Sequence, residues 1–159
     1  MNNENLKDLR VVFAGCVRNC SKFLPKSLEN LDSYSSLFRE SFKIIVENGS
    51  KDETRNILSK NENSNDHFLF ADHLNELPSR GQRLEKARNL IIKKIKDTPT
   101  LSSCDLFIML DLDDIGNYKI DKTDISDSIN FLFSNENIGG VFANQLSGYY
   151  DMWTLRDKK

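Results

Sequence analysis

Apolar residues fall along the chain in two alternating rhythms. Short β-branched runs recur between segments whose apolar positions come every three or four residues, the alternation expected of an α/β fold with a mainly parallel sheet. Val11 to Cys16 is a compact apolar run that predicts a buried first strand. Ser21 can cap a following helix whose apolar face is Leu24, Leu28 and Leu31. Phe42 to Val46 predicts the second strand, which ends in Glu47-Asn48-Gly49. Ser50-Lys51-Asp52-Glu53 fits the S-x-x-E capping box, so a helix is expected from there to about Ser59.

Asn61 to Asp66 is polar and turn-rich, and Phe68 to Ala71 is a weaker third strand. Ser79-Arg80-Gly81-Gln82 is a second capping-box match, and Leu84, Ala87, Ile91 and Ile95 give the next helix one apolar stripe. Thr98 to Ser103, with Pro99, reads as a loop. Leu106 to Leu110 is an unbroken apolar run, which predicts a central strand buried on both faces. It leads directly into Asp111-Leu112-Asp113-Asp114. A further helix carries Ile125, Ile129, Leu132 and Phe133 on one side, and Val141 to Ala143 is a short strand after Gly139-Gly140. Gly148 to Asp157 is aromatic-rich and takes no clear element. At 159 residues the pattern describes one domain, 1–159, with 1–9 expected to be flexible.

Charge narrows the partners. Lys plus Arg is 22 and Asp plus Glu is 24, a formal charge of 22 − 24 = −2. Such a balance argues against a general binder of nucleic acid, which would carry a basic surplus. No apolar run approaches the roughly 18 residues of a membrane span, and the mixed-charge start, Met1 to Arg10, is unlike a signal peptide. Three cysteines in no paired spacing argue against a disulfide framework, so a reducing, cytoplasmic location is expected.

The candidate chemistry sits at the predicted strand ends, where open α/β sheets bind ligands. Asp111 and Asp113 share a side in extended chain, and their mutual repulsion is relieved by a divalent cation. Mg²⁺ takes one or two carboxylates and fills its remaining positions with water and phosphate oxygens. The same run also fits an acidic, solvated loop in which Asp113 or Asp114 caps the next segment. Glu47 and Asn48 can hydrogen-bond a base or ribose edge, or can belong to a simple turn between strand and helix. Arg18, Arg80, Arg83 and Arg88 are of the residue type suited to phosphate recognition, and each also fits an ordinary surface role. Tyr149, Tyr150 and Trp153 can stack on a sugar ring or close the core.

Together these stretches resemble nucleotide-diphospho-sugar transferases of the GT-A fold, and more narrowly the capsule-associated α-1,3-mannosyltransferases of fungi with their bacterial and viral relatives. The resemblance rests on Val11 to Asn19, Glu47-Asn48-Gly49-Ser50-Lys51-Asp52-Glu53-Thr54, Arg83 to Asn89, Asp111 to Asp114 and Tyr149 to Asp157, in the family's order. It implies a three-layer α/β sandwich, a GDP- or UDP-sugar donor, a glycan or other hydroxyl acceptor, and Mn²⁺ or Mg²⁺ as cofactor. Carried over, Asp111 contacts ribose or metal and Asp113 ligates the metal. Arg18, Glu47, Asn48 and Arg88 build the nucleotide site. Mannose and retention of configuration are implied by the resemblance alone. Asp151, beside the aromatic group, is the candidate catalytic residue.

The family's acceptor-binding and C-terminal metal-ligand segments have no counterpart in this sequence, so the expected domain lacks its C-terminal part. A non-catalytic nucleotide-binding module is therefore the alternative to a transferase. A haloacid-dehalogenase-like phosphatase, with Asp111 as nucleophile, is a third reading.

Overall fold

The computed structural model describes residues 6–113 and 120–142. Its core is a four-stranded, all-parallel sheet, counted among the described residues, of β1 (Arg10–Val17), β2 (Glu40–Glu47), β3 (Asp66–Phe70) and β4 (Leu106–Met109). The strand order is β3-β2-β1-β4. The chain steps outward from β1 to β3 and then returns to the other side of β1, so the direction of winding reverses between β1 and β4. That reversal leaves a crevice beyond the carboxyl ends of those two strands, because the connections leaving them diverge to opposite faces.

Strand alternation sorts the core into two layers. Val11, Phe13 and Val17 point to one face, where they pack with α1 (Leu24–Ser35), α2 (Thr54–Asn61) and α5 (Lys122–Phe133). Val12 and Ala14 point to the other, against Ala87 and Ile91 of α3 (Arg80–Asp97) and Leu101 of α4 (Pro99–Ser102). The result is a three-layer α/β/α arrangement compatible with a Rossmann-like fold. The expected apolar faces are present: Leu24, Leu28 and Leu31 are buried on α1, and Ala87 and Ile91 on α3.

Several local expectations change. Neither Ser21 nor Ser50 caps a helix. The Ser21 amide instead donates to the Asp52 carboxylate, and α1 begins at Leu24 with Pro25 in its first turn. The Ser50 hydroxyl accepts from the Asn19 amide, while Asp52 accepts the Thr54 amide at the start of α2. Ser79 does cap α3, accepting from the Gln82 amide at 3.1 Å. Pro99 opens the short helix α4 rather than sitting in a loop, since proline suits a first helical turn. β4 is an edge among the described strands rather than central, and Phe107 on it is 43% exposed. Phe133 is exposed at the end of α5, and Val141 and Phe142 form no strand. Among the described residues no helix is long and apolar enough to cross a membrane.

Candidate functional site

The loops after β1, β2 and β4 meet the N-terminal half of α3 around a cleft of about 220 Å³ and an adjoining recess of about 60 Å³. Cys16, Arg80, Leu84 and Asp113 line both. The apolar stripe of α3 explains the opening. Ala87 and Ile91 lie buried against the sheet, and Arg80, Arg83, Leu84 and Ala87 of the first two turns form the helix side of the cleft.

Leu112 fixes the acidic run. Its side chain is buried in the layer containing α1 and packs so closely over Gly15 that a Cβ there would lie 2.5 Å from its Cδ1. The chain is also pinned by the Leu110 amide, which donates to the Ala14 carbonyl at 2.9 Å. With Leu112 turned inward, Asp111 and Asp113 on either side are exposed, and both line the recess with Arg88. Among the described residues no group of three His, Cys, Asp or Glu side chains converges. The donor set is two hard carboxylates, which suits a Mg²⁺- or Mn²⁺-type ion completed by water and ligand oxygens rather than a closed protein cage.

Cys16 lies where the recess meets the sheet. Burial pushes its thiol up to about 11, with Arg88 opposing the shift and Asp111 reinforcing it. Burial likewise pushes Cys20 to about 11, opposed by the Thr54 hydroxyl. Both are protonated at neutral pH, so neither is poised as a nucleophile.

On the larger side, Arg18 and Asn48 line the cleft with Arg80 and Arg83. Asn48 is 9% exposed, and its side-chain oxygen has no hydrogen-bond partner among the described residues. An unsatisfied buried acceptor costs about 1–3 kcal/mol, so this oxygen calls for a donor from a ligand.

The loops that carry Arg18 and Asn48 are interlocked. Asn19, in the left-handed region at φ 51, accepts the Lys51 amide on its side chain at 2.8 Å and donates its own amide to Ser50. The Cys20 amide donates to the Thr54 hydroxyl at 2.9 Å. Burial raises the Asp52 carboxyl, but bonds from Thr54 and Ser21 outweigh it and hold the group at about 2. Asn tolerates the left-handed conformation better than most residues, which is why it occupies this turn.

Glu47 does not line the cleft. It is fully buried, with one carboxylate oxygen taking Arg55 Nε at 2.9 Å and Nη2 at 2.6 Å and the other accepting the Ser50 amide. Arg55 also pairs with Asp72 and lies over the Phe70 ring, 4.9 Å from its centroid. The Glu47–Arg55 pair thus supports the Asn48 loop from below. Arg55 escaped the sequence reading, although a carboxylate ending a buried strand requires a nearby cation. Cys16, Cys20 and Leu84 were also not assigned to the site, since nothing but their positions in the fold brings them there. Asp151 and the group Tyr149, Tyr150, Trp153 lie outside the described residues, as does Asp114.

Comparison with protein-family models and with curated proteins gives no match.

Proposed function

We propose that this chain is the nucleotide-sugar-binding domain of a metal-dependent glycosyltransferase, taking a GDP- or UDP-sugar as donor and a glycan or other hydroxyl as acceptor. One observation carries the reading: the cleft at the sheet's winding reversal gathers Asn48, Arg18, Arg88 and the Asp111/Asp113 pair. These residues divide by chemistry in a way that suits such a donor. The buried Asn48 oxygen accepts a base N–H or a ribose hydroxyl, and the guanidinium groups hold phosphate oxygens. Asp111 and Asp113 would hold Mn²⁺ or Mg²⁺, which when bound neutralises charge on the diphosphate leaving group.

Glu47, implied by the family resemblance to touch the nucleotide, acts in this reading as a positioning residue for Asn48. Asp151 remains the proposed catalytic residue, with a cytoplasmic setting and mannose as the first sugar to try. The test measures consumption of GDP-mannose, UDP-glucose and related donors with Mn²⁺ and with chelator, for the native chain and Asp113→Ala. Metal-dependent consumption of one donor, lost in Asp113→Ala, is the expected result. Equal turnover under all conditions sinks the transferase reading, and nucleotide binding without donor consumption leaves the binding-module alternative.

A further inference from the structure

The larger half of the cleft is lined by three arginines, Arg18, Arg80 and Arg83. Arg18 and Arg80 have no carboxylate within ion-pair distance among the described residues, although each lines the larger cleft with Arg83. Two other arginines are paired: Arg10 meets Glu40 at 2.7 Å, and Arg55 bridges Glu47 and Asp72. Guanidinium groups stay charged at any ordinary pH, so the three arginines offer an anion a fixed cationic lining.

The seat is also pre-built. Arg83 is half-buried and donates Nη1 to the Leu77 carbonyl at 2.7 Å, which holds its guanidinium in place and leaves its other N–H groups for a ligand. Ser79 fixes the start of the 18-residue α3, satisfying the Gln82 and Arg83 amides through its side chain and carbonyl. Arg80, in the first turn, therefore brings to the same place the positive end of the helix and a backbone amide that has no acceptor among the described residues. Independently, the buried Asn48 oxygen, without a partner among the described residues, lines this half of the cleft. Since it accepts and cannot donate, the anion that belongs here also carries an N–H or O–H group.

We propose that Arg18, Arg80 and Arg83, with the first turn of α3, form a seat for the phosphate chain of a phosphorylated nucleoside that holds its ligand without a divalent ion. The inference rests on the reading of this cleft as a nucleotide-diphosphate site and deepens it. The carboxylates and the arginines then do separate work: Asp111 and Asp113 govern the metal, and the arginines govern retention of the diphosphate. Product diphosphate accordingly remains bound after the metal leaves.

The experiment titrates the full chain with inorganic pyrophosphate, GDP and UDP in excess chelator, by calorimetry and thermal shift. It uses the native chain, Arg80→Gln, Arg83→Gln and Lys93→Gln, the last removing an exposed charge of the same helix away from the cleft. Pyrophosphate should bind the native chain in chelator. Its dissociation constant should rise about tenfold in Arg80→Gln and in Arg83→Gln, the loss of a charge-assisted contact, and stay unchanged in Lys93→Gln. Asp113→Asn should bind pyrophosphate in chelator at least as well as the native chain, because a like charge is gone. No binding in chelator, or equal weakening by Lys93→Gln, overturns the seat. If pyrophosphate binds but neither nucleotide binds more tightly, the seat stands and the nucleotide reading falls. If a nucleotide binds only with Mn²⁺ and pyrophosphate does not bind in chelator, the nucleotide reading stands and the seat falls.

Discussion

Gly15→Ala is the most informative single perturbation of the architecture, because one methyl group meets the side chain that orients both aspartates. A Cβ at position 15 would lie 2.5 Å from Leu112 Cδ1, 2.7 Å from Leu112 Cγ and 3.0 Å from the Leu110 carbonyl oxygen. Carbon atoms rest at about 3.5–4.0 Å, so Leu112 must retreat by roughly 1 Å or leave its site. Leu112 is only 2% exposed and has no room to retreat without disturbing the layer that holds Leu24 and Leu28. Overpacking of this kind costs about 1–3 kcal/mol, and swinging Leu112 into water costs a similar amount. For a domain of this size each kcal/mol moves Tm by about 2–4 °C, so a fall of about 2–12 °C is expected by thermal unfolding. The clash is specific to one partner, which a double-mutant cycle isolates. Leu112→Ala alone should cost about 2–5 kcal/mol, and combining it with Gly15→Ala should cost at least about 1 kcal/mol less than the sum. Stabilisation by Mn²⁺ with nucleotide should weaken in both single variants, since Asp111 and Asp113 lose their tether. Strict additivity, or a Gly15→Ala protein with unchanged Tm and metal response, would refute the tethering role of Leu112.

Three further outcomes follow from the same geometry. Arg55→Met leaves the buried Glu47 carboxylate without its cation and should cost about 3 kcal/mol in chemical denaturation, with most of the loss recovered in Arg55→Met/Glu47→Gln. The Asp52 carboxyl is held at about 2 in the folded chain, below its unfolded value, so its contribution is complete above about pH 4 and is lost as pH falls through about 2. Asp52→Asn should therefore lower Tm at pH 7 and flatten its decline between those limits, and an unchanged profile would contradict the clamp. Cys16, pushed up to about 11 by burial, should alkylate on the order of a hundredfold more slowly than a free thiol at pH 8 by peptide mass spectrometry; Arg88→Gln should slow it further, and reaction at the free-thiol rate would contradict the placement.

What was legible in the sequence was set by local chemistry. Leu24, Leu28 and Leu31 repeat at helical spacing, and the structure buries all three. Ser79 accepts the Gln82 amide as its motif predicts, and among the described residues no other group takes the Ser79 hydroxyl. Ser50 carries an equally good motif and fails, because a partner distant in sequence, Asn19, takes that hydroxyl and Asp52 supplies the contact instead. The edge position of β4 was hidden for a related reason. Leu106 to Met109 is apolar on every residue, yet the side chain of Phe107 is left exposed, and periodicity alone cannot report which neighbours a strand acquires. At the site, Arg18, Asn48, Arg88, Asp111 and Asp113 do come to adjoining cavities, whereas Glu47 is claimed by Arg55. Sequence spacing could not distinguish a carboxylate that faces ligand from one that braces the loop beside it.

The central claim is that this cleft is a nucleotide site governed by Asp111 and Asp113. Its most direct test is a thermal-shift titration of the full chain with GDP and UDP, each with Mn²⁺ and with chelator, for the native protein and Asp113→Ala. A nucleotide at 100 times its dissociation constant adds about 2.7 kcal/mol, a shift of about 5–11 °C for a domain of this size. The account predicts such a shift with one nucleotide, larger with Mn²⁺ than with chelator, and an Asp113→Ala protein that loses the metal-dependent increment. A native chain whose Tm is unmoved by either nucleotide in the presence of Mn²⁺ would contradict it.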